Sequence, residues 1–245
     1  MDAKLVKNLP IDFSRCDSGG KLGIPQAFAL CMDLAGEHAE ALGNGVGAMM
    51  ERGLFWVAVK TVLRFFRRPA LLETVTAETW PEAPGRMRGD RDYVLRAGEE
   101  LLLCGKTEWT ILNTRDGGLW SPRNGIYAPG MEFSTERCCP EPYHRFTDAA
   151  PWEPFAEYTV CSTDIDMGGH MNNAAYARML AGLFSTAQRR ALAPREVEIH
   201  YRAACYEGDR LSVERRQLGN TLELRVISGG AVAALARISF REEQL

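Results

Sequence analysis

Histidine is scarce in this sequence. The 245 residues hold four, His38, His144, His170 and His200, each far from the next. No two share the short spacing that places a pair of imidazoles on one metal ion. Cysteine pairs at C-x-x-C spacing are missing as well. The seven cysteines are an odd number, and Cys138 and Cys139 are adjacent. Neither a disulfide framework nor a metal site is expected, and a reduced, cytoplasmic chain is the simplest reading. An excess of positive charge is lacking too: 29 Lys and Arg face 32 Asp and Glu, for a net charge of -3. A nucleic-acid partner is therefore not expected, and any basic site must be a local patch. No apolar run reaches the roughly 18 residues of a membrane span, and "MDAKLVKNLP" has no apolar core of the secretory type.

What is present is a pattern stated twice. In "IPQAFALCMDLAGEHAEAL" the apolar residues Ile24, Phe28, Cys31, Leu34, Ala35 and Leu42 recur at helical spacing. Pro25 suits the first turn and Gly43 the stop. Four strand-like runs follow: "LFWVAVKTVLRFF", "LLETVTAETW", "RMRGDRDYVLR" and "LLLCGKTEWTILN". The second half repeats the order. Tyr176, Met179, Leu180, Leu183 and Ala187 mark one helix in "NAAYARMLAGLFSTAQRR", then come "REVEIHYRAAC", "DRLSVERRQ", "TLELRVI" and "AVAALARISF". Leu222, Leu224 and Val226 alternate with Thr221, Glu223 and Arg225, as on a sheet with one covered face. Between the halves, six of the twelve prolines fall from Pro122 to Pro154, so long regular elements are excluded there. The expected fold class is α+β, two helix-plus-antiparallel-sheet units in tandem: residues 1–120, a Pro-rich crossing at 121–155 packed through its aromatics, and residues 156–245. Each unit has only one helix to cover its sheet, so the units are expected to pair as a pseudo-dimer that extends the sheet and shares cover.

The densest chemistry lies in "DIDMGGHMNN", Asp164 to Asn173, immediately before the second helix. An Asp before a helix is commonly a cap and Gly-Gly commonly a turn. The same groups also suit acyl chemistry. Asp166 can act as a general base or a nucleophile, and His170 can orient it or stabilise negative charge. The free N–H groups of the helix start near Asn172 and Asn173 are oxyanion donors. Gly169 permits unusual backbone angles and close approach of a substrate.

The complete D-x-D-x-x-G-H-x-N-N-x-x-Y pattern (Asp164, Asp166, Gly169, His170, Asn172, Asn173, Tyr176) before a helix resembles the hotdog fold. In that fold an antiparallel sheet wraps a long helix, and many members are thioesterases. The tandem layout, "RGLFWVAVKTVLRFFRRPALLETVTAETWPEA" and the later "IHYRAAC" resemble the acyl-ACP thioesterases of plants and bacteria. The resemblance implies a catalytic second half with an essential Asp at Asp166 and a His at His170. It also implies an Asn where Gly168 stands and a strand acid where Ala204 stands, with Cys205 matching a Cys of some plant members. His200, in step with Glu198, Arg202 and Ala204 on a regular strand, is a candidate to replace that acid. The first half, with "CDSGGKLGIPQAF" in place of the loop, keeps Asp17 and a glycine pair but has no histidine there. It would hold the acyl chain, with Phe28, Cys31, Met32, Met49, Met50, Phe55 and Trp56 as candidate lining.

The implied partner is an acidic acyl carrier protein bearing a phosphopantetheine-linked acyl chain. Arg64, Arg67 and Arg68, the cluster Arg86, Arg88 and Arg91, and Arg189 with Arg190 are candidate docking cations; edge-strand arginines also serve as protection against sheet pairing. No cofactor is expected, and the chain would be a monomeric pseudo-dimer or a homodimer. Two other readings share these residues: an acyl-CoA thioesterase, and an acyl-binding protein with weakened catalysis.

Overall fold

The computed structural model describes residues 3–147, 150–191 and 194–241. In chain order the elements are β1 (Leu5–Pro10), α1 (Ile24–Ala41), α2 (Val46–Glu51), β2 (Leu54–Phe65), β3 (Thr74–Pro81), β4 (Gly89–Ala97), β5 (Glu100–Asn113) and β6 (Leu119–Trp120). After the crossing come β7 (Glu153–Thr159), α3 (Asn173–Gly182), α4 (Thr186–Ala191), β8 (Pro194–Tyr201), β9 (Arg210–Leu218), β10 (Thr221–Ser228) and β11 (Ala231–Phe240). All strands belong to one antiparallel sheet in the order β1-β3-β4-β5-β2-β8-β11-β10-β9-β7, with β6 beside β5. Read outward from the centre, the two halves repeat each other. They meet where β2 pairs with β8, Thr61 opposite Ile199 and Leu63 opposite Val197.

The expected α+β arrangement is therefore present as one continuous sheet. One face carries both long helices. Phe28, Cys31 and Leu34 of α1 and Tyr176, Met179 and Leu180 of α3 share a core with Leu63, Tyr93, Val197 and Ile199 of the sheet. The i, i+3, i+4 spacing of those helical residues forces this: burying one stripe of each helix against the sheet removes it from water, at roughly 25 cal/mol per Å² of apolar surface. Gly43, at φ 73, ends the first helical segment as its position suggests.

The second helix differs from expectation. "NAAYARMLAGLFSTAQRR" folds as α3 and α4 with a break after Gly182. The Ser185 N–H donates to Gln188 Oε1 at 2.8 Å, and the Gln188 N–H donates to Ser185 Oγ at 3.2 Å. This reciprocal cap starts a new helix and overrides the continuous apolar period. β1, α2, β6 and β7 were not expected either. β1 and β7 are the outermost strands, and their sequences carry little apolar signal because one edge faces no neighbour.

The crossing covers the other face of the sheet. It rests on aromatics, as Tyr143 and Phe146 pack edge-on against His200. A polar layer runs beneath it. His200 Nε2 lies 2.6 Å from Glu198 Oε1, which also accepts the His144 N–H at 2.8 Å. Arg216 and Glu223, both buried, pair at 2.6 Å. Farther along, Cys104 of β5 and Cys138 and Cys139 of the crossing bring their sulfurs within 4.8 Å of one another, a grouping that sequence spacing does not show. Among the described residues no helix is long and apolar enough to cross a membrane.

Candidate active site

The loop before α3 is built by its own backbone. The Asp166 N–H donates to the His170 carbonyl at 3.0 Å, and the Gly169 N–H returns to the Asp166 carbonyl at 3.0 Å. Gly169 closes the turn at φ 78, where a side chain would be strained. Two further bonds fix the loop to the scaffold: Met171 N–H to the Cys205 carbonyl and Asn172 N–H to the Asp164 carbonyl, both 2.8 Å.

Asp164 is the anchor of this arrangement. It is buried and accepts from Tyr158 Oη at 2.6 Å, from the Cys161 N–H at 2.9 Å and from Arg178 Nη2 at 2.7 Å. Burial pushes its carboxyl up, but Tyr158, the Cys161 N–H and Arg178 together outweigh that and hold it below the usual range. The two aspartates of the motif thus divide the work. Asp164 holds the loop, and Asp166 faces the cavity.

Asp166, Gly168, His170, Asn172 and Asn173 line one end of a cavity of about 480 Å³. Met32, Ala35, Gly36 and Ala39 of α1, with Met49, Phe55, Trp56 and Trp109, form its apolar walls. His170 Nδ1 stands 3.7 Å from Asp166 Oδ1, and Phe55 meets the imidazole edge-on at 6.3 Å. The Gly168 N–H donates to Asp166 Oδ1 at 2.8 Å. A Cβ at position 168 would lie 3.0 Å from both Asp166 Oδ1 and His170 Nε2. A side chain there would need the imidazole and the carboxylate to give by a few tenths of an ångström. Asn172 Oδ1 accepts the Ala174 N–H at 2.8 Å, which makes Asn172 the helix N-cap. The Ala175 and Tyr176 N–H groups donate to the Asn172 carbonyl.

Several candidates lie elsewhere. Cys205 is fully buried in the core and does not line the cavity; burial pushes its thiol up. Its contribution is the carbonyl that receives Met171. Ala204 is exposed, and β8 ends at Tyr201. His200 is on the opposite face of the sheet, under the crossing, so it does not replace the strand acid. Among the lining candidates Met32, Met49, Phe55 and Trp56 reach the cavity, Phe28 and Cys31 are core, and Met50 is exposed.

The arginines are scattered. Arg64 pairs with Glu196 at 2.6 Å and with Glu141. Arg67 pairs with Glu73 at 2.7 Å and Glu100 at 2.8 Å, Arg68 with Asp17, and Arg88 with Glu108. Arg86 is exposed with no ion pair among the described residues. Arg91, grouped with the surface cations by sequence, instead lines the cavity, buried, 3.0 Å from His38 Nδ1 and 3.3 Å from Thr79 Oγ1. Burial pulls its pKa below the usual arginine value. The alternation of β4 places Arg91 on the same face as Tyr93, and that parity was the signal available in the sequence.

Two helices in one embrace of antiparallel strands, with a polar loop of one half opposed to the helix of the other, define a tandem hotdog protein. The sequence matches the acyl-ACP thioesterase N-terminal domain over residues 2–117 and the C-terminal domain over residues 151–242, and the chain belongs to the acyl-ACP thioesterase family. An acyl-ACP thioesterase from Bacteroides thetaiotaomicron superposes with a TM-score of 0.87 at 22% identity, over 98% of each chain. The 12:0-ACP thioesterase from Umbellularia californica superposes with a TM-score of 0.82 at 19% identity, again over 98% of each. The chloroplastic oleoyl-acyl carrier protein thioesterase of Coriandrum sativum is 24% identical over 200 residues, 74% of this chain and 53% of that protein. The chain thus spans about half the length of the curated relatives it matches.

Proposed function

We propose that the chain hydrolyses the thioester of an acyl chain carried by acyl carrier protein and releases the free fatty acid. The observation that carries this is the junction of the Asp166–His170 loop with an apolar cavity walled by α1 of the other half. The acyl chain lies along Met32, Ala35 and Phe55, and its carbonyl reaches the loop. Asp166 takes a proton from water as the oxygen adds to the carbonyl carbon, or attacks that carbon itself to form an anhydride, which water then hydrolyses to the free acid and the carboxylate. His170 stands within 3.7 Å to steady the carboxylate and the negative charge. The developing oxyanion is met by the Asn173 N–H, which has no protein acceptor among the described residues at the start of α3. Collapse expels the thiolate, a good leaving group, which needs no strong acid. No cofactor enters these steps.

The carrier docks beside the β3–β4 connection, where Arg86 is exposed and Pro81, Gly89 and Asp90 form the cavity rim. A carrier-protein substrate supports a place for the reaction in fatty acid biosynthesis. A reducing, cytoplasmic setting is part of this reading, as an odd number of cysteines without C-x-x-C spacing suits it. A single chain already contains both halves, which favours a working monomer. The test is release of free thiol from one acyl group offered on carrier protein and on CoA. Faster turnover on the carrier protein supports the proposal. Equal or faster turnover on CoA moves the chain to acyl-CoA substrates, and binding without turnover makes it an acyl-binding protein.

A further inference from the structure

The pseudo-twofold relation that joins the two halves gives the active-site cavity a counterpart. The loop 16–24 repeats the loop 165–173 in its backbone bonds. The Asp17 N–H donates to the Lys21 carbonyl at 2.8 Å, as Asp166 does to His170, and the Gly19 N–H donates to Asp17 Oδ1 at 2.8 Å, as Gly168 does to Asp166. Gly20 stands at φ 68, as Gly169 stands at φ 78. The Leu22 N–H donates to the Pro69 carbonyl, as Met171 does to Cys205. Arg68 therefore occupies in the first half the place that Ala204 occupies in the second. It reaches Asp17 and forms an ion pair with it. The catalytic pair is thus absent from this end: the aspartate is neutralised, and Lys21 stands where His170 would be.

The cavity at this end is nevertheless open. It measures about 380 Å³, within the usual range for small-molecule pockets. Leu180, Phe184, Val197, Ile199, Ile238 and Phe240 give it an apolar interior. Its charged lining is Arg68, Arg178 and Arg189 against the single Asp17. Arg68 is held by Asp17 and Arg178 by Asp164 at 2.7 Å. Arg189 is different: its Nε is buried without a hydrogen-bond partner, and its guanidinium has no ion pair among the described residues. A buried donor left unpaired is costly, and an anionic ligand group would satisfy it.

We infer that this second cavity binds a long-chain carboxylate, its alkyl chain along β8 and α3 and its carboxylate on Arg189. The ligand class is that of the proposed reaction's product, but the site performs no hydrolysis, and the inference rests on the cavity rather than on turnover at Asp166. A fatty acid held there would be a second equivalent bound outside the active site.

The test is calorimetric titration with dodecanoate, below its micelle concentration and at a pH where it is ionised. The expected result is two equivalents bound by the unaltered chain. Gly36→Trp, which fills the first cavity, is expected to bind one. Ala181→Trp, which fills the second, is expected to bind one as well. Arg189→Gln leaves the apolar wall intact and is expected to weaken one of the two sites at least tenfold. Dodecyltrimethylammonium, with the same tail and opposite charge, is expected to leave the second cavity empty. A single equivalent in the unaltered chain that Ala181→Trp and Arg189→Gln leave unchanged overturns the inference. So do two equivalents of unchanged affinity in both Ala181→Trp and Arg189→Gln, or occupancy of the second cavity by the ammonium probe. All these readouts are binding, so a chain without thioesterase activity would still answer the question.

Discussion

Asp17 and Asp166 sit in equivalent turns of the two halves, and their neighbours separate their fates: Lys21 against His170, and Arg68 against Ala204. Arg68 neutralises the first. Ala204, at the matching place, leaves the second without an arginine partner. Ala204→Arg is therefore expected to rebuild the silent arrangement around Asp166 and to lower kcat by at least about a hundredfold, the scale of losing a general base, with the fold intact by circular dichroism. Asp164 gives a second residue-scale prediction. Its carboxyl is held below the usual range in the folded state, so the stability it contributes is present at neutral pH and is lost as pH falls through that lowered pKa. Asp164→Asn removes the charge on which Arg178 and Tyr158 converge. It is expected to cost about 1.5–3 kcal/mol in urea unfolding at pH 7 and to flatten the acid limb of stability. The loop itself was legible in the sequence because Asp, Gly-Gly and His are dense there. The division between Asp164 and Asp166 was not, since it depends on Tyr158 and Arg178 arriving from other elements. Nor was the setting of Gly168: its missing side chain reads as a gap, whereas a Cβ there would press on both Asp166 and His170.

At the scale of elements, α3 carries the most consequence per residue, because its first turn forms the floor of the site. Asn172 starts it by capping the Ala174 N–H. Asn172→Ala is expected to cost about 1 kcal/mol in stability, and Asn172→Asp much less, by thermal or urea unfolding. Activity in the Ala variant should fall further than that stability loss alone implies, as the Asn173 N–H loses its fixed direction. Helix α1 was legible to within a residue, since Pro25, Gly43 and a regular apolar stripe agree. The α3–α4 break was written in Ser185 and Gln188, a capping pair masked by an apolar period that runs across it. β1 and β7 left weaker traces because edge strands need less apolar sequence to hold their place.

At the scale of the molecule, the sheet is shared and the crossing seals its outer face. Arg137 of the crossing pairs at 2.8 Å with Glu82, a carboxylate just after β3. Burial, and then the charge of Asp92, push Glu82 up to about 7, against a smaller pull from Arg137. The unfolded chain gives up this proton near the ordinary 4.5 and the folded chain holds it to about 7, so stability falls as pH rises through that window. Glu82→Gln is expected to remove this loss, and the melting temperature of the variant should decline less between pH 5 and pH 8 than that of the unaltered chain. The duplication was legible from the order of helix and strands stated twice. That the two units pair to extend one sheet and share cover was legible from the single helix of each; that β2 and β8 are the strands that meet was not, since pairing between distant strands leaves no local mark. That joining sets the loop of the second half against α1 of the first, and the central claim is that Asp166 works in the resulting cavity. Single-turnover cleavage of an acyl chain from carrier protein tests it most directly, comparing the unaltered chain with Asp166→Asn, a change of charge and proton affinity with nearly constant shape. The account predicts a rate lower by about 10²–10⁴-fold with substrate binding retained. An unchanged rate in Asp166→Asn would contradict it.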